Sequence, residues 1–240
     1  MYAEPIKDVA RDEHLKLQMG FDIMNSEFTE YTQIVNVFKD AELTQPIGSH
    51  FEWDEETKEL VIIDPAICPD YMISYVKRIG YEPKAILLTH GHFDHVMGIE
   101  GWTKEFDIPV YIYKDEAAIL RDPALNLSSM FGTSYAYEKV TCLSDGEKLV
   151  LAGYTFEVIH TPGHTSGGCC YYVKDEEVLF SGDTLFCRSV GRSDFPTGSA
   201  SVLVKSIQEK LFSLPDQVMV YPGHNDLTCI ADEKQYNPFI

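Results

Sequence analysis

Three histidines and one aspartate lie within a stretch of six residues in the first half of the chain. Residues 89–95 are Thr-His-Gly-His-Phe-Asp-His, so imidazoles stand at His90, His92 and His95 and a carboxylate at Asp94. Imidazole and carboxylate groups are the ligands that a borderline divalent cation such as zinc takes in proteins. Burying several such groups without partners would cost free energy for each one. The cluster therefore predicts a metal site rather than isolated surface or core histidines.

Three further segments place a candidate ligand beside a glycine, directly after an apolar run. They are Pro-Gly-His at 162–164, Ser-Gly-Asp at 181–183 and Pro-Gly-His at 222–224. Taken singly, Asp183 or His224 would more often be a loop residue. Ligands brought by the same edge of several strands converge on one point, so we expect His164, Asp183 and His224 to join the histidine-rich segment in one site.

Short apolar runs separated by turn residues predict the elements that position these segments. Strands are predicted at 60–63, 85–88, 110–113, 155–160, 178–180 and 217–221, with hairpins at 148–160 and 169–182. Helices are predicted at 69–79, 96–106 and 201–214, the last ending before Pro215. Because helices alternate with strands in both halves, the pattern predicts an α/β protein with two sheets between helices. Residues 1–33 are polar and weakly patterned and are predicted to be an N-terminal extension to a domain at 34–240.

Composition limits the partners and the compartment. The 240 residues carry 19 basic and 38 acidic side chains, a net charge of −19, which disfavours nucleic acid and anionic membrane as partners. The first 20 residues contain no apolar core of a secretion signal, and no apolar run approaches the length of a membrane span. The six cysteines form no C-x-x-C pair, so we expect a cytoplasmic protein; its oligomeric state is left open.

The order HGHFDH, PGH, GD and GH resembles that of the metallo-β-lactamase superfamily, and the resemblance extends over residues 34–240. Strings beyond the ligands, among them FSGDTLF, GRSDFPTGSASVLVKSI and the terminal YNPFI, are similar to the small glyoxalase II-like (hydroxyacylglutathione hydrolase-like) branch. The resemblance implies a four-layer αββα sandwich with a metal site at the edges of the sheets. It further implies two divalent metal ions, zinc in the first place, with iron and manganese as alternatives.

The same resemblance assigns roles residue by residue. The implied ligands of the first ion are His90, His92 and His164, those of the second are Asp94, His95 and His224, and Asp183 bridges the two. Asp64, in the segment IIDP, would orient ligands from outside the coordination shell; an ordinary strand-end turn is the alternative. Arg192, in GRSDF, would bind substrate or form a loop-stabilising ion pair with Asp194.

The implied activity is that of an enzyme with a small-molecule substrate: hydrolysis of a thioester of the hydroxyacylglutathione type, or of an ester, through a metal-bridging hydroxide whose attack Asp94 orients. Class B β-lactamases usually have cysteine where this chain has Asp183, so β-lactam hydrolysis is not expected. The main alternative is a mononuclear iron persulfide dioxygenase, with His90, His164 and Asp183 as ligands. An RNase Z-like nuclease fits the acidic charge poorly. A non-catalytic binding module is disfavoured because all seven ligand positions are filled.

Overall fold

The structure is a computed structural model that describes residues 33–34, 36–37, 47–48, 50–53, 57–66 and 70–240. The predicted N-terminal extension at 1–33 lies outside these residues except for Gln33, whose backbone pairs with that of Gly48. The boundary between an extension and a domain at 34–240 therefore stays a prediction. Within the described residues, no helix is long and apolar enough to cross a bilayer.

Strands and helices alternate along the chain. In chain order the strands are β1 (Gln33–Ile34), β2 (Asn36–Val37), β3 (Ile47–Gly48), β4 (His50–Trp53), β5 (Glu59–Ile63), β6 (Glu82–Leu88), β7 (Val110–Tyr113), β8 (Thr141–Leu143), β9 (Lys148–Leu151), β10 (Tyr154–His160), β11 (Cys169–Val173), β12 (Val178–Gly182), β13 (Leu185–Phe186), β14 (Ser189–Val190), β15 (Met219–Pro222) and β16 (Thr228–Cys229). The helices are α1 (Asp70–Ile79), α2 (Phe93–Val96), α3 (Ile99–Phe106), α4 (Ala117–Arg121), α5 (Ala200–Ser206) and α6 (Ile230–Tyr236). Short 3₁₀ turns lie at Ser128–Phe131 and Lys174–Glu176.

Two six-stranded sheets form the centre of the molecule. The first has the order β2-β4-β5-β6-β7-β8, and β5 to β8 run parallel to one another. The second has the order β16-β15-β12-β11-β10-β9, and only β12 and β15 in it are a parallel pair. Because β5 and β6 are parallel in one sheet and β12 and β15 in the other, the carboxyl ends within each pair lie at one edge of their sheet.

The central strands of each sheet, such as β5, β11 and β12, are buried on both faces, which explains their nearly continuous apolar runs. In β5, Val61 and Ile63 face the apolar cluster between the two sheets, whereas Leu60 and Ile62 face the cluster that includes α1, α3 and α4. The outer face of the second sheet packs in the same way against α5 and α6. The layers are therefore helix, sheet, sheet and helix, and the predicted αββα sandwich is confirmed.

Two predicted helices were wrong in their extent. The helix predicted at 96–106 begins only at Ile99, and Val96 is the last residue of α2. The two helices are separate because the N–H of Gly98 donates to the carbonyl of Pro65 at 2.7 Å instead of continuing the helical bonding. The helix predicted at 201–214 is α-helical only through Ser206 and continues as a π-helical turn that ends at Leu211. At that transition the Ser206 hydroxyl donates to the carbonyl of Pro162 at 2.7 Å, which ties the helix to a histidine-bearing segment.

Candidate metal centre

The polar segments singled out in the sequence follow strands whose ends meet at one place. Residues 89–95 follow β6 and lead into α2, and the segment that carries His164 follows β10. Asp183 comes directly after β12, and His224 comes two residues after the end of β15. All seven side chains predicted as ligands lie together there, drawn from both sheets.

The first cluster consists of His90, His92 and His164. All three side chains are buried, and one ligand atom of each lies within 4.8 Å of the others. The Nε2 of His164 is 2.9 Å from the Nδ1 of His92, and the ring of His90 lies 4.8 Å from each of the other two rings, centroid to centroid. Nitrogen atoms that face one another in this way have the arrangement needed to share one cation.

The second cluster consists of Asp94, His95 and His224, whose ligand atoms also lie within 4.8 Å of one another. The Nε2 atoms of His95 and His224 are 3.3 Å apart. The Oδ2 of Asp94 lies 3.6 Å from the His224 nitrogen and 3.8 Å from the His95 nitrogen. This set has one carboxylate and two imidazoles, a ligand set that suits zinc, iron or manganese.

Asp183 lies between the two clusters. Its Oδ1 is 3.4 Å from the Nε2 of His95, and its Oδ2 is 3.6 Å from the Nε2 of His164 and 3.4 Å from that of His224. The backbone just after β15 packs directly against this carboxylate, since a Cβ placed on Gly223 would lie 2.2 Å from the Asp183 Oδ1. One carboxylate thus contacts ligands of both clusters, the position that a bridging ligand requires.

The electrostatics of the cluster fit a bound cation. Among the residues that the structure describes, three buried side-chain atoms lack a hydrogen-bond partner, and all belong to candidate ligands: His90 Nε2, His92 Nε2 and Asp183 Oδ1. Burial lowers the pKa of His90 and His92 well below its ordinary value, which keeps these imidazoles neutral and able to bind metal. Burial opposes ionisation of Asp183, but the imidazoles of His224 and His95 hold its pKa well below the usual range.

His95 has the opposite shift. Burial disfavours its charged form, yet the carboxylates of Asp183, Asp94 and Asp64 raise its pKa to about 10. An imidazolium among three carboxylates supplies the positive charge that this arrangement of acidic groups demands. A divalent cation at the same place would supply that charge and leave the imidazole as a ligand.

Asp64 holds His95 from outside the cluster. It ends β5 in the left-handed conformation, with φ of 50°, which aspartate tolerates better than most residues. Its Oδ2 accepts from the Nδ1 of His95 at 3.0 Å and from the Thr89 hydroxyl at 2.5 Å, and its Oδ1 accepts from the Thr89 N–H at 2.7 Å. The Nε2 of His95 therefore faces the cluster without a proton when a metal is bound.

The segment around Arg192 contacts the first cluster in two ways. The Nδ1 of His164 lies 2.6 Å from the main-chain oxygen of Arg192, so this nitrogen carries the proton and Nε2 is free for metal. The Arg192 guanidinium bonds both oxygens of Asp194, at 3.0 and 2.9 Å, and lies 4.1 Å from the ring centre of Phe195. That ring is in edge contact with His92, 5.8 Å between centroids, so Phe195 connects the exposed Arg192 guanidinium to the first cluster.

Sequence reasoning missed two of these contributors. Thr89 stood inside the quoted motif and was given no role, but it bonds Asp64 and lies 3.1 Å from the Nδ1 of His90. The contact of the Arg192 main-chain oxygen with His164 does not depend on the side chain, so residue type could not have revealed it. A threonine between a buried strand and a candidate ligand histidine is the signal that would have pointed to Thr89.

Comparison with known proteins decides the family. The profile described as "Metallo-beta-lactamase superfamily" matches residues 54–224, which include every candidate ligand. The chain belongs to the metallo-β-lactamase superfamily. Membership in this superfamily implies an enzyme that binds divalent metal, in agreement with the clusters described above.

Two curated relatives carry names that bear on the activity. The chain is 38% identical over 184 residues to "Probable metallo-hydrolase YqgX" of Bacillus subtilis, covering 76% of this chain and 87% of that protein. It is 34% identical over 191 residues to "Hydroxyacylglutathione hydrolase GloC" of Haemophilus influenzae, covering 78% and 90%. These relatives make the chain a member of the metallo-hydrolase group within the metallo-β-lactamase superfamily.

Solved structures share the fold over most of their length. BLEG-1, described as a B3 metallo-β-lactamase, is 40% identical with a TM-score of 0.76, covering 80% of this chain and 93% of that one. TTHA1623, solved in a di-iron-bound form, is 32% identical with a TM-score of 0.72, covering 85% and 100%. The metallo-β-lactamase fold of this chain is therefore shown independently of its ligand motifs.

Proposed function

We propose that this protein is a dinuclear metal-dependent hydrolase that cleaves a thioester of the hydroxyacylglutathione type, or a related ester. The observation that carries the proposal is the position of Asp183 between two complete ligand clusters. The similarity to GloC of Haemophilus influenzae supports the thioester. In this proposal His90, His92 and His164 hold one ion, Asp94, His95 and His224 hold the other, and Asp183 contacts both.

The metal ions, when bound, would polarise the substrate carbonyl and lower the pKa of bound water to about 7. The side chains then divide the remaining work. Asp94 is partly accessible at the edge of the second cluster, where its carboxylate orients the attacking water and accepts a hydrogen bond from it. Asp64 keeps His95 in the metal-binding tautomer, and the Arg192 carbonyl does the same for His164.

The leaving group favours a thioester over an amide. A thiol has an ordinary pKa of about 8.5, so a thiolate departs near neutral pH without a strong general acid. The clusters consist of metal ligands and carboxylates, which suit attack on the carbonyl rather than protonation of a poor leaving group. This chemistry matches the charge of the site, which stabilises a developing oxyanion once metals are bound.

Arg192 is proposed to bind the substrate. Its guanidinium is exposed, pairs with the exposed carboxylate of Asp194 and covers Phe195, which contacts His92. A carboxylate on the thiol half of the substrate would replace Asp194 as the bidentate partner at little cost, because an exposed ion pair is weak.

The test is a substrate panel with matched variants. Metal-loaded protein is assayed with a 2-hydroxyacyl glutathione thioester, a simple acyl thioester, an aryl ester and a β-lactam. We expect the first to be hydrolysed with the highest kcat/KM and His90→Ala and Asp183→Ala to abolish turnover. The control Asp232→Ala removes an exposed carboxylate on α6, outside the clusters, and should stay active.

Two results would contradict the proposal. Hydrolysis of the β-lactam alone would place the activity with that of BLEG-1, the 40% identical B3 metallo-β-lactamase. Full thioester turnover by either ligand variant would show that these clusters do not perform the reaction.

A second candidate is a mononuclear iron persulfide dioxygenase that uses His90, His164 and Asp183. It is kept because ETHE1 from Myxococcus xanthus shares the fold, at 28% identity with a TM-score of 0.67, covering 87% of this chain and 83% of that one. This candidate predicts about one iron per chain and oxygen uptake with a persulfide substrate. The thioesterase predicts neither.

A further inference from the structure

A buried carboxylate outside the ligand set contacts both histidine-bearing segments. Glu116 immediately precedes α4, and its side chain is fully buried. Its Oε1 accepts from the N–H of Gly91 at 2.8 Å, and its Oε2 accepts from the Thr165 hydroxyl at 2.9 Å and from the N–H of Gly167 at 3.0 Å. One side chain thus bonds three donors on two separate segments.

These donors lie beside the ligands of the first cluster. Gly91 stands between His90 and His92, and Thr165 is the residue after His164. The first segment follows β6 of one sheet, whereas the second follows β10 of the other. Glu116 therefore joins the two sheets at the point where their histidines must meet to share a metal ion.

The backbone around Glu116 is fitted closely to this contact. A Cβ on Gly167 would lie 2.3 Å from the main-chain nitrogen of Glu116, so the second histidine segment approaches the start of α4 more closely than any side chain would permit. The distance between the His164 segment and α4 is therefore fixed by this backbone contact and by the hydrogen bonds of Glu116.

We propose that Glu116 is a positioning residue that sets the distance between the His90–His92 segment and His164, and thereby the affinity of the first metal position. This inference rests on the proposed function only in that these three imidazoles bind a metal ion. It assigns Glu116 no contact with substrate or metal.

A carboxylate is the side chain that satisfies this arrangement. Its two oxygens accept all three hydrogen bonds, whereas an amide has one accepting oxygen and a nitrogen that only donates. In Glu116→Gln the amide nitrogen must face either the Gly91 N–H or the Gly167 N–H, and that main-chain bond is lost. The change is nearly isosteric, so it loosens one segment without creating a cavity.

A purely stabilising role is the alternative, and the chain contains a matched control for it. Glu233 is also buried and also accepts three hydrogen bonds, from the Thr228 hydroxyl, the Arg188 N–H and the Asn237 side chain. None of these donors adjoins a ligand of the first cluster. Glu233→Gln should therefore lower stability in the same way as Glu116→Gln without altering that cluster.

The experiment measures metal binding rather than turnover. Metal-free wild type, Glu116→Gln, Thr165→Val and Glu233→Gln are titrated with Zn²⁺ against a chromophoric chelator, and Co²⁺ forms are compared by visible absorption. We expect Glu116→Gln to weaken one of two zinc equivalents by about 10- to 100-fold and to change the cobalt spectrum. Thr165→Val, which removes one of the three bonds, should give a smaller change in the same direction, whereas Glu233→Gln should lower Tm alone.

Two outcomes would overturn the inference. Glu116→Gln with wild-type affinity for both zinc equivalents would leave Glu116 a structural contact. Equal weakening in Glu116→Gln and Glu233→Gln would show that general destabilisation is the cause. Thr165→Val keeps the inference testable if Glu116→Gln does not fold. A wild type that binds zinc but hydrolyses no thioester would count against the proposed function alone.

Discussion

Replacing Asp64 by asparagine tests whether ligand orientation is set from outside the clusters. The change alters no shape, but the amide can accept with one atom only. Its oxygen must remain at the Thr89 N–H, which Asp64 Oδ1 meets at 2.7 Å, because an amide nitrogen cannot accept there. The amide nitrogen then faces the Nδ1 of His95, at the position where Oδ2 now lies 3.0 Å away.

The size of the effect follows from the His95 tautomer. Facing a donor, Nδ1 must give up its proton, and the neutral ring carries it on Nε2 instead. That atom lies 3.3 Å from the His224 nitrogen and 3.4 Å from Asp183, so a proton there occupies the metal-facing position. Disruption of such outer contacts typically costs 10- to 100-fold in metal affinity, or about 1.4 to 2.7 kcal/mol.

The assay is zinc competition, supported by ¹⁵N NMR of the histidine rings. We expect Asp64→Asn to weaken the equivalent held by Asp94, His95 and His224 and to shift the His95 tautomer. The control Asp232→Asn changes an exposed aspartate on α6 and should bind both equivalents as wild type does. Wild-type zinc affinity in Asp64→Asn, or an unchanged His95 tautomer, would refute the reasoning.

Three further predictions concern the space beside Asp183, substrate binding by Arg192 and the pH dependence of stability. Gly223→Ala forces a Cβ to within 2.2 Å of Asp183 Oδ1, so both zinc equivalents should weaken at least about tenfold, and unchanged affinity would contradict the bridging position. Arg192→Ala should raise KM for thioesters whose thiol half carries a carboxylate and leave it unchanged for uncharged ones; an equal KM for all would dismiss the contact. Burial raises the pKa of Glu116 to about 7 from an ordinary 4.5, because it outweighs the three hydrogen bonds that favour the carboxylate. Ionising the buried group therefore costs the folded state free energy, so stability is highest below pH 4.5 and falls as pH rises through 7. Relative to Glu116→Gln, metal-free wild type should therefore lose up to about 3 kcal/mol of unfolding free energy across that window in urea titrations, and a pH-independent difference would contradict the shift.

The ligand segments could be located from the sequence because each is a short contiguous string after an apolar strand. The pattern around His90 shows its chemistry within six residues, and Asp183 and His224 are marked by an adjacent glycine. The strands were equally visible, since burial on both faces leaves runs such as 60–63 and 85–88 with no polar residue. The alternation of strands and helices predicted two sheets between helices, and the resemblance to a family identified this arrangement as a four-layer αββα sandwich.

Contacts between distant segments could not be predicted in this way. Glu116 bonds donors 25 and 49 residues away in the chain, and nothing in the residue type separates it from a surface glutamate. The break between α2 and α3 depends on the carbonyl of Pro65, which reaches Gly98 only in the folded protein. Such features arise from the packing of one segment on another, which single-sequence patterns do not contain.

The most direct test of a dinuclear hydrolase is metal content followed through reconstitution. Elemental analysis of purified protein gives the metal and its equivalents per chain, and stepwise addition of Zn²⁺ to metal-free protein shows when thioester hydrolysis begins. We predict about two equivalents per chain, with hydrolysis increasing as the second is bound, and loss of one equivalent in His90→Ala. A single iron per chain with oxygen uptake, or a protein that cannot be loaded with metal, would contradict it.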